Sequence, residues 1–193
     1  MKIQEIRTRD KVIQYIKTLD SPKICEVGTR TADFFYKWMF ADNCELGIMV
    51  DIWQNTEDPN QNDNSYSQAE LDSQYREVFQ ETLKHPNARI IREFSDKACN
   101  FFPDETFDFV YLDADHSYKG CLRDLRCWYP KVKKGGILAG HDYIDAEMTI
   151  RMGHRTVFGV VPAVTEFLEE KNIENELIHI TSETYGTYFI RRS

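Results

Sequence analysis

The apolar positions change period several times along the chain, and each change predicts an element. Val12, Ile13, Ile16 and Leu19 share one helical face, so a helix is predicted over residues 8–19 with Thr8 as its cap. Ser21-Pro22 ends it. Residues 23–28 read as a first core strand through Ile24, Cys25 and Val27. Phe34, Phe35, Trp38 and Met39 predict a second helix over 31–40. Residues 46–53 are almost wholly apolar, as expected of a strand covered on both faces. The polar run 54–65 is an exposed loop. A helix follows at once, with Leu71, Tyr75, Val78, Phe79 and Leu83 as one stripe.

The second half repeats the alternation. A third strand is predicted over 88–94, a short helix or turn over 96–102, and a fourth strand over 107–112. Tyr118, Cys121, Leu122, Leu125 and Trp128 predict a helix over 117–128. Tyr118 is expected in the core and Asp115 at the helix N-cap. Gly135-Gly136 open a fifth strand, 137–140. Residues 143–158 keep no clean period and predict a mobile loop over the site. Val160, Val161, Val164, Phe167 and Leu168 mark a last helix, with Pro162 tolerated in its first turn. Residues 177–181 and 187–190 form two closing strands around Gly186. Strands alternating with helices imply a Rossmann-like, doubly wound α/β fold. Its sheet is mostly parallel, with helices on both faces. A chain of 193 residues fits a single domain, with an N-terminal helix over 1–22 and loops 54–66 and 143–158 over the site.

Charge and composition narrow the partners. The net charge is −8, which argues against a nucleic-acid backbone, since that needs a concentrated basic surface. RIIR and KVKK are basic but short. No apolar run reaches the length of a membrane span, and Met1 begins a polar segment with no signal-peptide core. Cys25, Cys44, Cys99, Cys121 and Cys127 are odd in number and contain no CxxC. All five are expected as free thiols in a reducing, cytoplasmic setting.

Candidate chemistry gathers where the strands end. In open α/β sheets ligands bind outside the carboxyl ends of the strands. Asp113, Asp115 and His116 follow the fourth strand, and His141 and Asp142 the fifth. After the first strand comes Glu26-Val-Gly-Thr-Arg-Thr-Ala32, where Gly28 lets the backbone pass close to a ligand. Asp51 ends the second strand, a position from which an acid accepts from ribose hydroxyls. Otherwise Glu26 is a surface acid beside Arg30, and Asp51 a turn cap. The turn lacks the G-x-G-x-x-G of a dinucleotide fold, and Glu26 would repel a pyrophosphate. This disfavours a nicotinamide-dependent oxidoreductase. An acid there suits a ligand with a cationic end. S-adenosylmethionine carries ribose, adenine, ammonium and sulfonium, and no phosphate.

With EVGTRTA (26–32), DADHSYKG (113–120) and GGILAGHDY (135–143) in order, the chain resembles the class I S-adenosylmethionine-dependent methyltransferases. The nearer match is to their small O-methyltransferase-like group. GVVPAVTEFLEE (159–170) is similar to that group's helix after the substrate loop. The resemblance implies a seven-stranded sheet with the last strand antiparallel. It implies Glu26, Gly28, Thr29 and Arg30 around the amino-acid part of the cofactor. Asp51 and Ile52 would lie at its ribose, Ser95 and Asp96 near its adenine, and Asp113 and His116 beside the methyl-transfer site. Ala32 departs from the motif, which has Gly there.

The resemblance also implies a divalent cation, such as Mg²⁺, on Asp113, His141 and Asp142, although His suits softer metals. Three readings stay open. One is that metal site. Another is metal-free catalysis with His141 or His116 as base. The last is structural: Asp113 and Asp115 cap the next helix while His116 and Asp142 bond loops. Trp53, Tyr66, Tyr143, Met148, Met152 and His154 either line an acceptor pocket or cover the core. The expected function is methyl transfer to the oxygen of a small molecule, a sugar or phenolic hydroxyl, with or without a metal. The alternative is a cofactor-binding pseudoenzyme serving as a partner module. A homodimer through residues 1–20 or the terminal hairpin is also expected.

Overall fold

The computed structural model describes residues 1–56, 66–144, 149–151, 154–156 and 158–193, with the backbone alone for 149–151 and 154–156. The strands are β1 (Lys23–Val27), β2 (Leu46–Asp51), β3 (Ala88–Arg92), β4 (Phe107–Leu112), β5 (Val132–Tyr143), β6 (Thr149–Arg151), β7 (His154–Thr156), β8 (Leu177–Ile180) and β9 (Gly186–Arg191). Seven of them form one sheet in the order β3-β2-β1-β4-β5-β9-β8. β1 to β5 pair in parallel, and β9 runs antiparallel to both β5 and β8. The expected sheet is therefore present, with the last strand in sequence reversed. β6 and β7 form a separate hairpin inside the stretch expected as an unstructured loop.

Period-two alternation divides the core into two layers. Ile24, Met49, Phe109 and Tyr111 face one layer, with Ile3, Ile6, Phe34 and Phe35. Cys25, Ile48, Val110 and Leu112 face the other, with Leu125, Trp128 and Phe167. The helices are α1 (Val12–Ile16), α2 (Gln68–Thr82), α3 (Ser95–Ala98), α4 (Tyr118–Trp128) and α5 (Val160–Lys171). α2 opens on a capping box between Ser67 and Glu70. α4 and α5 pack together on the second layer.

Several expectations are corrected. The helix predicted over 8–19 is a short α1 preceded by a 3₁₀ turn, Arg9–Lys11. The helix predicted over 31–40 is a π-helical turn, Phe35–Met39. β5 is much longer than 137–140 and carries His141 and Asp142 within it. Ser117, not Asp115, caps α4: its hydroxyl accepts from the Gly120 N–H, while Asp115 accepts from the Ser117 N–H. Tyr118 stands at the rim, 37% exposed, bonded to Glu166 instead of packed in the core. Phe79 on α2 and Leu83 at its C-cap are exposed. Cys99 and Cys127 form a disulfide, because α3 ends beside the last turn of α4. Sequence spacing could not show that approach. Cys25, Cys44 and Cys121 are free and buried as expected. The bond removes cysteine usage as an argument for a reducing compartment. Among the described residues no helix is long and apolar enough to cross a membrane.

The turn after β1 holds the sheet's carboxyl edge together. Gly28 adopts φ +91°, and a Cβ there would collide with the Asp113 carbonyl and the Ala114 backbone. The glycine is needed first for packing of β1 against β4. Further on, Ala32 takes φ 59° where the motif has Gly, which costs on the order of 1 kcal/mol. Gly28→Ala should lose about 3 kcal/mol or more, from strain and overpacking together. Urea denaturation checks it, and an unchanged midpoint would show that the β1–β4 contact yields.

Candidate active site

Two sites adjoin at the carboxyl edge. The first is a cleft open to solvent beside the ends of β1 and β2. Val27, Gly28, Val50 and Ala114 line it from the strand ends, Ser95 from α3 and Asp124 from α4. Asp51 holds its rim. One carboxylate oxygen accepts from the Arg30 N–H and the other from the Trp53 N–H, both at 2.8 Å. Asp51 thus caps this turn and also borders the cleft.

The expected cofactor residues fall in different places. Gly28, Arg30, Asp51, Ile52 and Ser95 line the cleft. Thr29 is buried, with its hydroxyl toward the Glu26 carbonyl at 3.4 Å. Asp96 lies outside the cleft lining, 3.9 Å from Arg123. Glu26 is not a surface acid: it is 1% exposed, and its Oε2 has no hydrogen-bond partner. Burial, then the charges of Asp113 and Asp51, push its carboxyl well above the usual range. A ligand ammonium nearby would offset that cost.

The second site is a charge cluster. β4 delivers Asp113, and β5 delivers His141 and Asp142. Asp142 has φ 55°, beside an irregularity in the β5–β9 register that re-aims it. His116 Nε2 lies 3.1 Å from Asp113 Oδ1 and 3.2 Å from Asp142 Oδ2. His141 Nδ1 lies 3.0 Å from Asp142 Oδ1 and 3.7 Å from Asp113 Oδ1. Arg9, more than a hundred residues away in sequence, donates to Asp113 Oδ2 at 3.1 Å. Burial raises the Asp113 pKa, but the His116 hydrogen bond and the His141, His116 and Arg9 charges outweigh it and hold it at about 2.

Asp113, His141 and Asp142 each offer a ligand atom within 4.8 Å of the others, so a divalent cation fits there spatially. Two carboxylates and an imidazole suit a transition metal better than Mg²⁺. Every oxygen of the two carboxylates already has an arginine or imidazole neighbour within 3.2 Å. His116 and His141 also border a smaller cavity beside α4 and α5.

The acceptor-pocket expectations fare unevenly. Trp53 is fully buried, and its indole N–H donates to the Arg30 carbonyl at 2.8 Å, so it belongs to the core. Tyr66 lies against the Arg30 guanidinium, and Tyr143 packs near Tyr188. Met148, Met152 and the His154 side chain lie outside the described residues, as does most of loop 54–65. Sequence reasoning missed Arg9 and Asp124. Nothing in the pattern points to Arg9. Asp124 left a signal, because it interrupts the apolar face that Cys121, Leu125 and Trp128 define.

A family model described as a methyltransferase domain matches residues 36–143. No curated protein sequence matches the chain. Among solved structures, an O-methyltransferase family protein from Burkholderia thailandensis aligns with TM-score 0.62 at 12% identity, covering 94% of this chain and 55% of that one. The chain thus spans about half the length of that protein. The N-methyltransferase NodS from Bradyrhizobium japonicum gives 0.58 at 14% identity, with 92% and 90% covered. A SAM-dependent methyltransferase from Aquifex aeolicus gives 0.58 at 15%, with 94% and 89% covered. These likenesses are of fold: that of the class I SAM-dependent methyltransferases.

Asp124 gives the site a pH signature. Burial raises its pKa to about 7, against lowering by Ser95 and Arg123. The folded state therefore binds a proton more tightly than the unfolded chain, and its stability falls as pH rises from about 4 through 7. Asp124→Asn should remove that slope and gain about 2–4 kcal/mol relative to wild type at pH 8, with little gain at pH 4. Unfolding free energies across this range check it. Parallel wild-type and variant curves would show that Asp124 titrates normally.

Proposed function

The chain belongs to the methyltransferase-domain family, and on that premise we propose that it transfers a methyl group from S-adenosylmethionine to a hydroxyl oxygen of a small molecule, a sugar or a phenol. The observation that carries the oxygen reading is the convergence of Asp113, His116, His141 and Asp142 beside the cleft. S-adenosylmethionine, when bound, supplies an electrophilic methyl on its sulfonium. The chain must orient the acceptor in line and take up its proton. Asp51, with Gly28 and Ser95 along the cleft, would hold the nucleoside. The buried Glu26 suits the ammonium of the amino-acid end.

His141 is the proposed base. Its Nδ1 stands 3.0 Å from Asp142 Oδ1, so a tautomer protonated on Nδ1 would leave the Nε2 lone pair to receive the acceptor's proton. Asp113 and Asp142 then stabilise the imidazolium. His116 bridges the two carboxylates and keeps them apart. Arg9 anchors Asp113 from the N-terminal segment. The acceptor O–H gives its proton to His141, the oxygen gains the methyl carbon, and the sulfonium becomes a neutral thioether.

A second reading is a cation on Asp113, His141 and Asp142, favoured by the convergence of their ligand atoms. Such an ion would lower the pKa of the acceptor hydroxyl.

Calorimetric titration with S-adenosylhomocysteine, with and without Mg²⁺ or Mn²⁺, tests the cofactor and the metal separately. Micromolar binding is expected, and a separate metal-binding heat would favour the second reading. Asp113→Asn should lower methyl transfer about a hundredfold or more while the melting curve stays cooperative. Transfer by this variant at the wild-type rate would remove the charge cluster from the chemistry. No binding of S-adenosylhomocysteine under any condition would leave only the fold.

A further inference from the structure

One wall of the cleft is fixed in place by a covalent bond that none of the steps above uses. Glu93, Phe94 and Ser95 line the cleft where α3 begins, and Arg123 and Asp124 line it from α4. Cys99 stands four residues after Ser95, and Cys127 three after Asp124, about one helical turn further on each side. Their disulfide ties the two walls together. α3 is only Ser95–Ala98, too short to hold its shape unaided. It is also tied to α4 by the Trp128 Nε1–H, which donates to Ser95 Oγ at 2.9 Å. The cysteine pair is placed for exchange. Cys127 is only partly buried, so a reductant can reach its sulfur, whereas Cys99 is buried. The Asp96 carbonyl oxygen lies 3.3 Å from Cys99 Sγ and 3.8 Å from Cys127 Sγ. It offers an acceptor to both thiols, so the reduced pair keeps a hydrogen-bond partner in place. Cys25, Cys44 and Cys121 are buried, and burial pushes each of these thiols up, so they stay unreactive.

We propose that Cys99–Cys127 is a reversible exchange site for a dithiol, and that its redox state sets how firmly the cleft holds the cofactor. The second half rests on the S-adenosylmethionine reading. A thiolate of the dithiol attacks Cys127 Sγ and forms a mixed disulfide, while Cys99 leaves as a thiolate and takes up a proton. The dithiol's second sulfur then attacks that mixed disulfide and closes the reagent's own S–S bond, and Cys127 is released and protonated. Two electrons pass from the dithiol to the protein. With the bond open, α3 keeps the Trp128–Ser95 hydrogen bond but loses its covalent tether. Residues 93–98 then sample more conformations in the free protein, and a ligand must order them again on binding. By linkage, the bound ligand protects the disulfide from reduction by the same factor.

The test compares the oxidised full chain with the same chain reduced natively by dithiothreitol, the thiols being counted by alkylation and mass spectrometry. In calorimetry the reduced chain should bind S-adenosylhomocysteine roughly three- to tenfold more weakly. In the first minutes of hydrogen exchange, amides of residues 93–99 should exchange roughly tenfold faster after reduction, while β1 and β4 stay protected. Cys99→Ser/Cys127→Ser should match the reduced chain and ignore dithiothreitol. Should it fold poorly, Cys127→Ser opens the bond at its outer sulfur and is read the same way. A native bond that resists dithiothreitol overturns the exchange site. Equal affinity in the two states overturns control of the cleft. Early loss of protection at β1 and β4 overturns it too, since it marks a bond that only supports the fold. Absence of S-adenosylhomocysteine binding in both states sinks the cofactor reading, and exchange at 93–99 then decides by itself whether the bond fixes the wall.

Discussion

The ends of β1, β2 and β4 are laced together by backbone hydrogen bonds, and everything at the site hangs from that lacing. The Gly28 N–H donates to the Val50 carbonyl at 2.8 Å, and the Asp113 N–H donates to the Val27 carbonyl at 2.7 Å. Gly28 lies so close to the Asp113 and Ala114 backbone that no side chain fits between them. This contact shapes one wall of the cleft and fixes where Asp113 begins. Asp51 then ties the neighbouring turn down through two backbone N–H groups. The indole of Trp53 adds a bond to the Arg30 carbonyl. The result is a preorganised edge, which is what positioning a methyl donor and acceptor requires.

Acids crowd that edge, and each is managed differently. Asp113 stays ionised because Arg9, His116 and His141 surround it. Glu26 and Asp124 have weaker company, and burial outweighs it and drives them toward their neutral forms. Glu26 belongs to the face of the sheet that carries Asp51 and Asp113, as the period-two alternation requires. Asp124 comes from α4 on the other face. Unpaired buried acids lower the stability of the free protein, and such costs concentrate at sites that bind something. The fold resembles methyltransferases that act on quite different acceptors, so it says nothing of the acceptor itself. The distinctive content lies in the side chains at the edge.

The strand sequence was legible because buried parallel strands read as apolar runs, and 107–112 matched β4 to the residue. Helix limits were less so. Residues 31–40 carried a helical stripe but formed a π-helical turn over Phe35–Met39, with Phe35 stacked on Phe40 just beyond it. The strand read as 137–140 ran from Val132 to Tyr143: Val132 pairs with Phe107 of β4, and pairing with β9 carries the other end past a register shift to Tyr143. Of the site, Asp51, Asp113, His141 and Asp142 were visible as polar residues at strand ends. Asp115 was misread as a cap because the competing Ser117 stands two residues on and has the better reach.

By itself the sequence determined the α/β alternation, the mostly parallel sheet it implies, and the polar groups that end each strand. These follow from local periodicity and from the covering of parallel strands by helices. Only the tertiary structure decided which groups meet. Arg9 reaches Asp113 because the N-terminal segment folds back under the sheet edge, with Ile3 and Ile6 buried. Cys99 bonds Cys127, and Asp124 borders the cleft, because α4 docks beside α3. Contacts between residues far apart in the chain depend on how layers pack, and no local pattern encodes that distance.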